Sequence, residues 1–111
     1  MGKTTYNKLI RDRIPEIMQA DGKHYELAVM TKEEYIQALR VKLVEEAEEA
    51  KQAISGDLII ELADIQEVIA ALLETLKISP KQVKQIQTQR HAERGGFEKR
   101  LKLLWTDDRD D

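Results

Sequence analysis

The chain has no cysteine, few aromatic residues and no long apolar run. Its 111 residues include two prolines, five glycines and 5% aromatic residues. Without cysteine, disulfides and thiolate metal sites are excluded, and a reducing compartment is expected. No apolar run approaches the roughly 20 residues of a membrane span, and the polar N-terminus lacks a signal-peptide core. These absences predict a soluble, cytoplasmic protein with no membrane association.

The net charge is small, although charged residues are abundant. They make up 35% of the chain, and the formal net charge is −3. That net charge is too small to indicate a nucleic-acid polymer or a membrane surface as the partner. The length predicts a single domain over residues 1–111, with 106–111 as a solvated tail that frays.

Two long amphipathic helices are predicted in the middle of the chain. Thr31 and Glu34 have the spacing of a capping box, which opens a helix over about residues 32–54. The sequence Ser55-Gly56-Asp57 is expected to break this helix, and a second one is predicted over about residues 58–77. Folding at the break would give an antiparallel hairpin.

Shorter elements are predicted on either side of this hairpin. Asp12 is expected to cap a short helix with Pro15 in its first turn, and residues 24–30 alternate weakly, as an extended or strand-like piece would. Ser79 and Pro80 predict the start of a third long helix, which Gly95 and Gly96 end. The C-terminal piece is expected to dock onto the helical bundle through four apolar residues, Phe97, Leu101, Leu103 and Leu104.

The pattern as a whole predicts an all-α antiparallel helical bundle. The second long helix carries apolar residues outside its main stripe, including Val68, Ala70 and Ala71, which exceed what one neighbouring helix covers. A homodimer that completes a four-helix core is the simplest arrangement that buries them.

Acidic residues form two clusters, one on each side of the predicted break. On the first long helix Glu45, Glu46 and Glu49 lie within an arc of about 100°, and on the second Glu61 and Asp64 are one turn apart. The hairpin would bring these clusters together. Two carboxylates about 5 Å apart repel by roughly 3 kcal/mol at an effective dielectric constant near 20. A hard divalent cation such as Mg²⁺ would remove that repulsion.

A solvated acidic face is the competing interpretation of the same residues. Glu-rich helices are common on protein surfaces, and the first cluster alone is more typical of such a face. Under this interpretation the chain is a non-catalytic helical interaction protein. The second cluster favours the metal site, because Glu61 and Asp64 interrupt an otherwise apolar segment.

The acidic segments also resemble a known family signature. Residues 42–49 (KLVEEAEE) followed by 61–64 (ELAD) resemble the Glu-Glu-x-x-Glu … Glu-x-x-Asp pattern of the all-α nucleoside triphosphate pyrophosphohydrolases, the MazG-like superfamily. Residues 6–16 (YNKLIRDRIPE) and 90–100 (RHAERGGFEKR) are similar to its phosphoribosyl-ATP pyrophosphohydrolase-like branch. The resemblance spans nearly the whole chain.

This resemblance implies a set of metal ligands and catalytic residues. Glu46, Glu49, Glu61 and Asp64 would be the ligands of Mg²⁺, with Mn²⁺ as an alternative metal. Glu45 would be a further ligand or the base that polarises the attacking water, so that Glu45 and Glu46 are the candidate catalytic residues.

Basic residues near both ends are candidates for binding the phosphates of a nucleotide. Lys8 and Arg11 precede the hairpin, and Arg94 and Lys99 follow it; arginine suits bidentate phosphate contacts, and lysine supplies a mobile charge. Solvated surface charge is the alternative role for all four. The resemblance implies a Mg²⁺-dependent nucleotide pyrophosphohydrolase, a homodimer or homotetramer that clears non-standard nucleotides, with phosphoribosyl-ATP of histidine biosynthesis as a rival substrate.

Overall fold

The computed structural model describes residues 2–108, and the secondary structure in this range is helical, with no strand. Four helices follow one another along the chain: α1 (Ile14–Ala20), α2 (Lys32–Gln52), α3 (Ser55–Leu76) and α4 (Pro80–Arg94). The predicted all-α class is therefore confirmed. Of the two forms expected for residues 24–30, extended or strand-like, the strand does not form, because one isolated extended piece has no partner with which to pair.

The first long helix begins where its capping box predicts. The backbone N–H of Glu34 donates to Thr31 Oγ1 at 3.2 Å, and the Thr31 N–H donates to Glu34 Oε1 at 3.1 Å. These hydrogen bonds, first that from the Thr31 backbone and then that of its side chain, lower the pKa of Glu34 below its ordinary value. Helix α2 ends at Gln52, two residues before the predicted end.

The position of the break between the long helices was predicted incorrectly. Helix α3 already begins at Ser55, so Gly56 and Asp57 lie in its first turn and not in a loop. The link consists of Ala53 and Ile54, both with extended backbone conformations. Asp57 is favourable inside the helix because its carboxylate lies at the positive end of the helix dipole.

The short helix α1 also begins later than expected. Its N-cap is Arg13, not Asp12, and no side chain caps it. Pro15 lies in the first turn as predicted, where its missing N–H costs nothing. Gly22 follows the end of the helix with φ at +73°, a conformation that glycine adopts without strain.

The hairpin of α2 and α3 forms the body of the first of two compact units, which extends as far as Ile78. The helices pack against each other, and the two-residue link makes them antiparallel. Leu39 on α2 and Val68 on α3 are the buried apolar residues of the described chain. They lie at matching positions, thirteen residues from the link-proximal end of each helix.

The second compact unit begins at Ser79 and contains α4. The Ser79 hydroxyl accepts from the Lys81 N–H at 3.1 Å, and Gln82 Oε1 accepts from the Ser79 N–H at 2.8 Å. The helix ends at Arg94, with Gly95 as its C-cap. After it Phe97 is 97% exposed, and Leu101, Leu103, Leu104 and Trp105 are exposed too. The expected docking of this piece stays a prediction.

Within residues 2–108, none of the helices combines the length and apolar character needed to cross a membrane. Of the predicted tail, residues 109–111 lie outside the described range. The prediction of one domain over residues 1–111 stays a prediction.

Candidate metal centre

Two acidic residues occupy positions on α2 and α3 that face the neighbouring helix. Glu46 follows the buried Leu39 by seven residues, and Glu61 precedes the buried Val68 by seven. Seven residues are close to two helical turns, so each acid lies on the same helix face as the buried residue of its helix. Glu46 is accordingly buried, at 8% exposure.

Three carboxylates meet at this level of the hairpin. Oxygens of Glu46, Glu61 and Asp64, one from each side chain, all lie within 4.8 Å of one another. Two oxygens bound to one Mg²⁺ are about 3 to 4 Å apart at its usual 2.0–2.1 Å bond length. Small side-chain rotations would therefore bring the three oxygens onto one cation.

Two oxygens of this group have no hydrogen-bond partner. Glu46 Oε2 and Glu61 Oε2 are buried, and nothing in the described part of the chain donates to either. An unpartnered buried oxygen normally costs about 1–3 kcal/mol, and more when it is charged. The donor set consists of carboxylate oxygens alone, which suits a hard cation such as Mg²⁺ or Mn²⁺. The residues present therefore fit the implied metal.

The electrostatics of the group reflect the same crowding. Burial is the largest cause that raises the pKa of Glu46, followed by the nearby carboxyl group of Glu49 and the charge of Asp64; Lys42 acts in the opposite direction. Burial also raises the pKa of Glu61, again followed by Glu49 and then Asp64. Glu46 and Glu61 thus resist ionisation, first because burial desolvates them and then because other carboxylates lie nearby.

Two basic side chains offset part of this negative charge. Arg11 donates from Nη2 to Asp64 Oδ1 at 2.7 Å, an ion pair between residues 53 positions apart. Lys42 Nζ lies 3.9 Å from carboxylate oxygens of both Glu45 and Glu46. The Lys42 distances exceed those of good hydrogen bonds, so Glu46 is only weakly compensated.

The other two predicted acids, Glu45 and Glu49, lie at the more exposed edge of this group, here called the rim. Glu49 is exposed, yet its carboxylate influences both Glu46 and Glu61. It is not one of the three residues whose oxygens converge. Glu45 is partly exposed and borders an open depression of about 470 Å³, which is also lined by Val41, Val44, Glu48 and Glu49.

The predicted phosphate-binding residues are found in both compact units. Arg11 contacts the acidic group directly, whereas Lys8 borders a depression of about 170 Å³ that extends to Lys42 and Glu45. Arg94 is the last residue of α4, and Lys99 follows it in the second unit. The substrate-binding role of all four stays a prediction.

Two interactions of the site were missed from the sequence. The sequence predicted that Arg11 binds the substrate, and it gave no sign that Arg11 pairs with Asp64. The two residues are 53 positions apart, and no sequence spacing indicates a contact over that distance. The contact of Lys42 with Glu46 was also missed, although its spacing of four residues is the usual signal for a helical ion pair.

The chain matches no protein-family model, no curated protein and no solved structure at the level that would count as a similarity. The resemblance described above thus rests on its sequence motifs alone.

Proposed function

We propose that the chain is a Mg²⁺-dependent nucleotide pyrophosphohydrolase, which cleaves a nucleoside triphosphate to a monophosphate and pyrophosphate. The observation that carries this proposal is the convergence of Glu46, Glu61 and Asp64 within 4.8 Å, with buried oxygens that lack partners. A solvated acidic face would not bury Glu46 to 8% exposure. The MazG-like resemblance supplies the reaction.

The metal-binding residues would be the three converging acids, with Glu49 as a fourth oxygen donor from the rim. Glu49 is exposed and already interacts with Glu46 and Glu61, so a change of its side-chain rotamer is enough to bring it closer. Mg²⁺ binds a few carboxylates and keeps positions for water and phosphate oxygens. Mn²⁺ accepts the same ligands.

The chemistry is an attack of water on the α-phosphorus. A bond forms from the water oxygen to this phosphorus, and the bond from phosphorus to the bridging oxygen breaks with its electron pair leaving on pyrophosphate. The resemblance implies that Glu45 is either a further metal ligand or the base that polarises this water. As the base, its partly exposed carboxylate would accept the water's proton. When bound, Mg²⁺ would neutralise phosphate charge and stabilise the leaving pyrophosphate.

The chain is also proposed to act as a homodimer. Helices α2 and α3 bury only Leu39 and Val68 among the described apolar residues. Large apolar side chains on the same helices remain exposed; they include Val41, Val44, Ile59, Ile60 and Leu62. Pairing two hairpins would cover such residues and complete a four-helix core.

A nucleotide screen tests the proposed reaction. The purified chain is incubated with Mg²⁺ or Mn²⁺ and a panel that includes dUTP, dCTP, oxidised purine nucleotides and phosphoribosyl-ATP. Products are followed by phosphorus NMR, which distinguishes pyrophosphate from orthophosphate. We expect pyrophosphate and a monophosphate from at least one member of the panel, with no turnover in EDTA.

Variants connect this activity to the acidic group. Asp64→Asn and Glu61→Gln should each lower kcat/KM at least about 100-fold, which corresponds to about 2.7 kcal/mol of transition-state stabilisation. Glu74→Gln is the matched control, because it removes an exposed carboxylate from the same helix. Full activity in Asp64→Asn, or release of orthophosphate alone, would refute the proposal.

A further inference from the structure

The N-terminal segment before α1 brings a guanidinium group onto the candidate metal centre. Residues 2–8 are exposed, and Leu9 and Ile10 are partly buried just before Arg11. Arg11 Nη2 donates to Asp64 Oδ1 at 2.7 Å, and the two side chains are 54% and 33% exposed. The segment thus ends in a cationic side chain that is paired with one of the three converging carboxylates.

Arg11 compensates the acidic group differently from Lys42. The Lys42 ammonium lies 3.9 Å from Glu46 and belongs to the same helix, so it remains beside the group whatever else binds there. Arg11 lies on a separate segment, and among the described residues its guanidinium donates a hydrogen bond only to Asp64. Half-exposed ion pairs of this kind contribute little to stability, so a better cation can replace Arg11.

We propose that Arg11 is an exchangeable counter-charge of this site: a divalent cation takes over Asp64, and the released guanidinium then binds the phosphate chain of the substrate. This inference rests on the proposed function, because it requires a cation at Glu46, Glu61 and Asp64. A guanidinium binds phosphate in a bidentate manner, which makes the exchange favourable once a polyphosphate is present. Arg11 is then a competitor of the cation at Asp64 and a binding residue for the phosphate.

Cation affinity provides the first test. Mn²⁺ binding is measured by calorimetry on the intact chain without nucleotide. If Mn²⁺ must displace Arg11, Arg11→Gln should bind Mn²⁺ about fivefold more tightly than the wild type. Arg13→Gln is the matched control, because Arg13 is a nearby arginine that pairs with Glu16 at 2.9 Å and not with Asp64.

Hydrogen exchange of the segment provides the second test. In the wild type, Mn²⁺ alone should speed amide exchange in residues 6–13, and Mn²⁺ with inorganic triphosphate should slow it again. The Arg11→Gln variant should show neither change, whereas Arg11→Lys, which keeps the charge, should retain part of both. Melting temperatures in EDTA verify that each variant is folded.

The outcomes separate this inference from the function on which it rests. If wild-type chain binds no Mn²⁺, or if Asp64→Asn binds it unchanged, the metal centre itself is refuted. If the wild type binds Mn²⁺ through Asp64 but Arg11→Gln binds it no more tightly than Arg13→Gln does, only the exchange is refuted. Weaker binding in Arg11→Gln would likewise overturn it, since Arg11 would then orient Asp64 for the cation.

Discussion

Glu46 and Glu61 are charged residues at positions where the pattern of buried residues favours apolar ones. Each is two helical turns from the buried residue of its own helix, Leu39 or Val68. Burial raises the pKa of both carboxyl groups. A titratable group that is destabilised by its surroundings but retained in the fold is a candidate for function.

The raised pKa of Glu61 leads to a prediction about the stability of the cation-free protein. Replacing Glu61 with Gln should make it more stable than the wild type at pH 7.5. The ordinary pKa is 4.5 and the folded-state value is raised. With respect to Glu61, the folded wild type therefore keeps its full stability below about pH 4.5, where this residue is protonated. It loses part of that stability as the pH rises through the folded-state pKa and the partly buried carboxyl group must ionise. The variant has no such loss.

The measurement is the melting temperature in EDTA from pH 5 to pH 8, followed by circular dichroism. The difference between Glu61→Gln and wild type should grow as the pH rises, because groups remote from Glu61 contribute equally to both proteins and the variant relieves repulsion among the neighbouring carboxylates. Glu74→Gln should show no such growth. A difference that shrinks with rising pH would contradict the assignment of a raised pKa to Glu61.

Residue spacing predicted part of the acidic group and missed another part. The pairs Glu46 with Glu49 and Glu61 with Asp64 follow from helical periodicity, which is a local property. The contact of Arg11 with Asp64 depends on the path of a segment with no regular structure, and no periodicity describes such a path.

At the level of elements, the starts of α2 and α4 were predicted correctly, whereas the start of α1 and the link between α2 and α3 were not. Thr31 and Ser79 have hydroxyl groups that cap the following helix, and each starts a helix as expected. Ser55, Gly56 and Asp57 have the composition of a loop but lie within α3. A residue such as Asp57 is favoured both in a turn and in a first helical turn, so composition alone cannot separate the two.

This error moved the link by a few residues without separating the acids. Glu46 is six residues before the end of α2, and Glu61 is six residues after the start of α3. Since both helices end at the same short link, residues equally distant from it lie opposite each other in an antiparallel pair. The prediction that the acids meet was therefore unaffected by the error in the helix boundary, because Glu46 and Glu61 are equally distant from the link.

At the scale of the whole molecule, the exposed apolar residues predict self-association. Light scattering after size-exclusion chromatography should give a mass near twice the 12.8 kDa of one chain. Ile59 on α3 is 75% exposed, and Ile59→Glu should convert the dimer to a monomer because it would place a charge in the interface. Val29→Glu, at an exposed apolar residue outside the helices, is the control.

A monodisperse wild-type monomer would contradict the dimer, and a dimer that survives Ile59→Glu would contradict this face as the interface. Sequence patterning predicted the helical class because amphipathic periods recur along most of the chain. It also predicted more apolar surface than one neighbouring helix covers, but it was wrong for Val68, which is already buried within one chain. A pattern of apolar residues does not say which of them a second chain covers.

The central claim is that Glu46, Glu61 and Asp64 hold one divalent cation, and anomalous scattering from a Mn²⁺-soaked crystal tests it most directly. An anomalous peak is expected within coordination distance of a carboxylate oxygen from all three residues, with no such peak in Asp64→Asn. A wild-type crystal with no peak there, or with Mn²⁺ bound only at other acids, would contradict it.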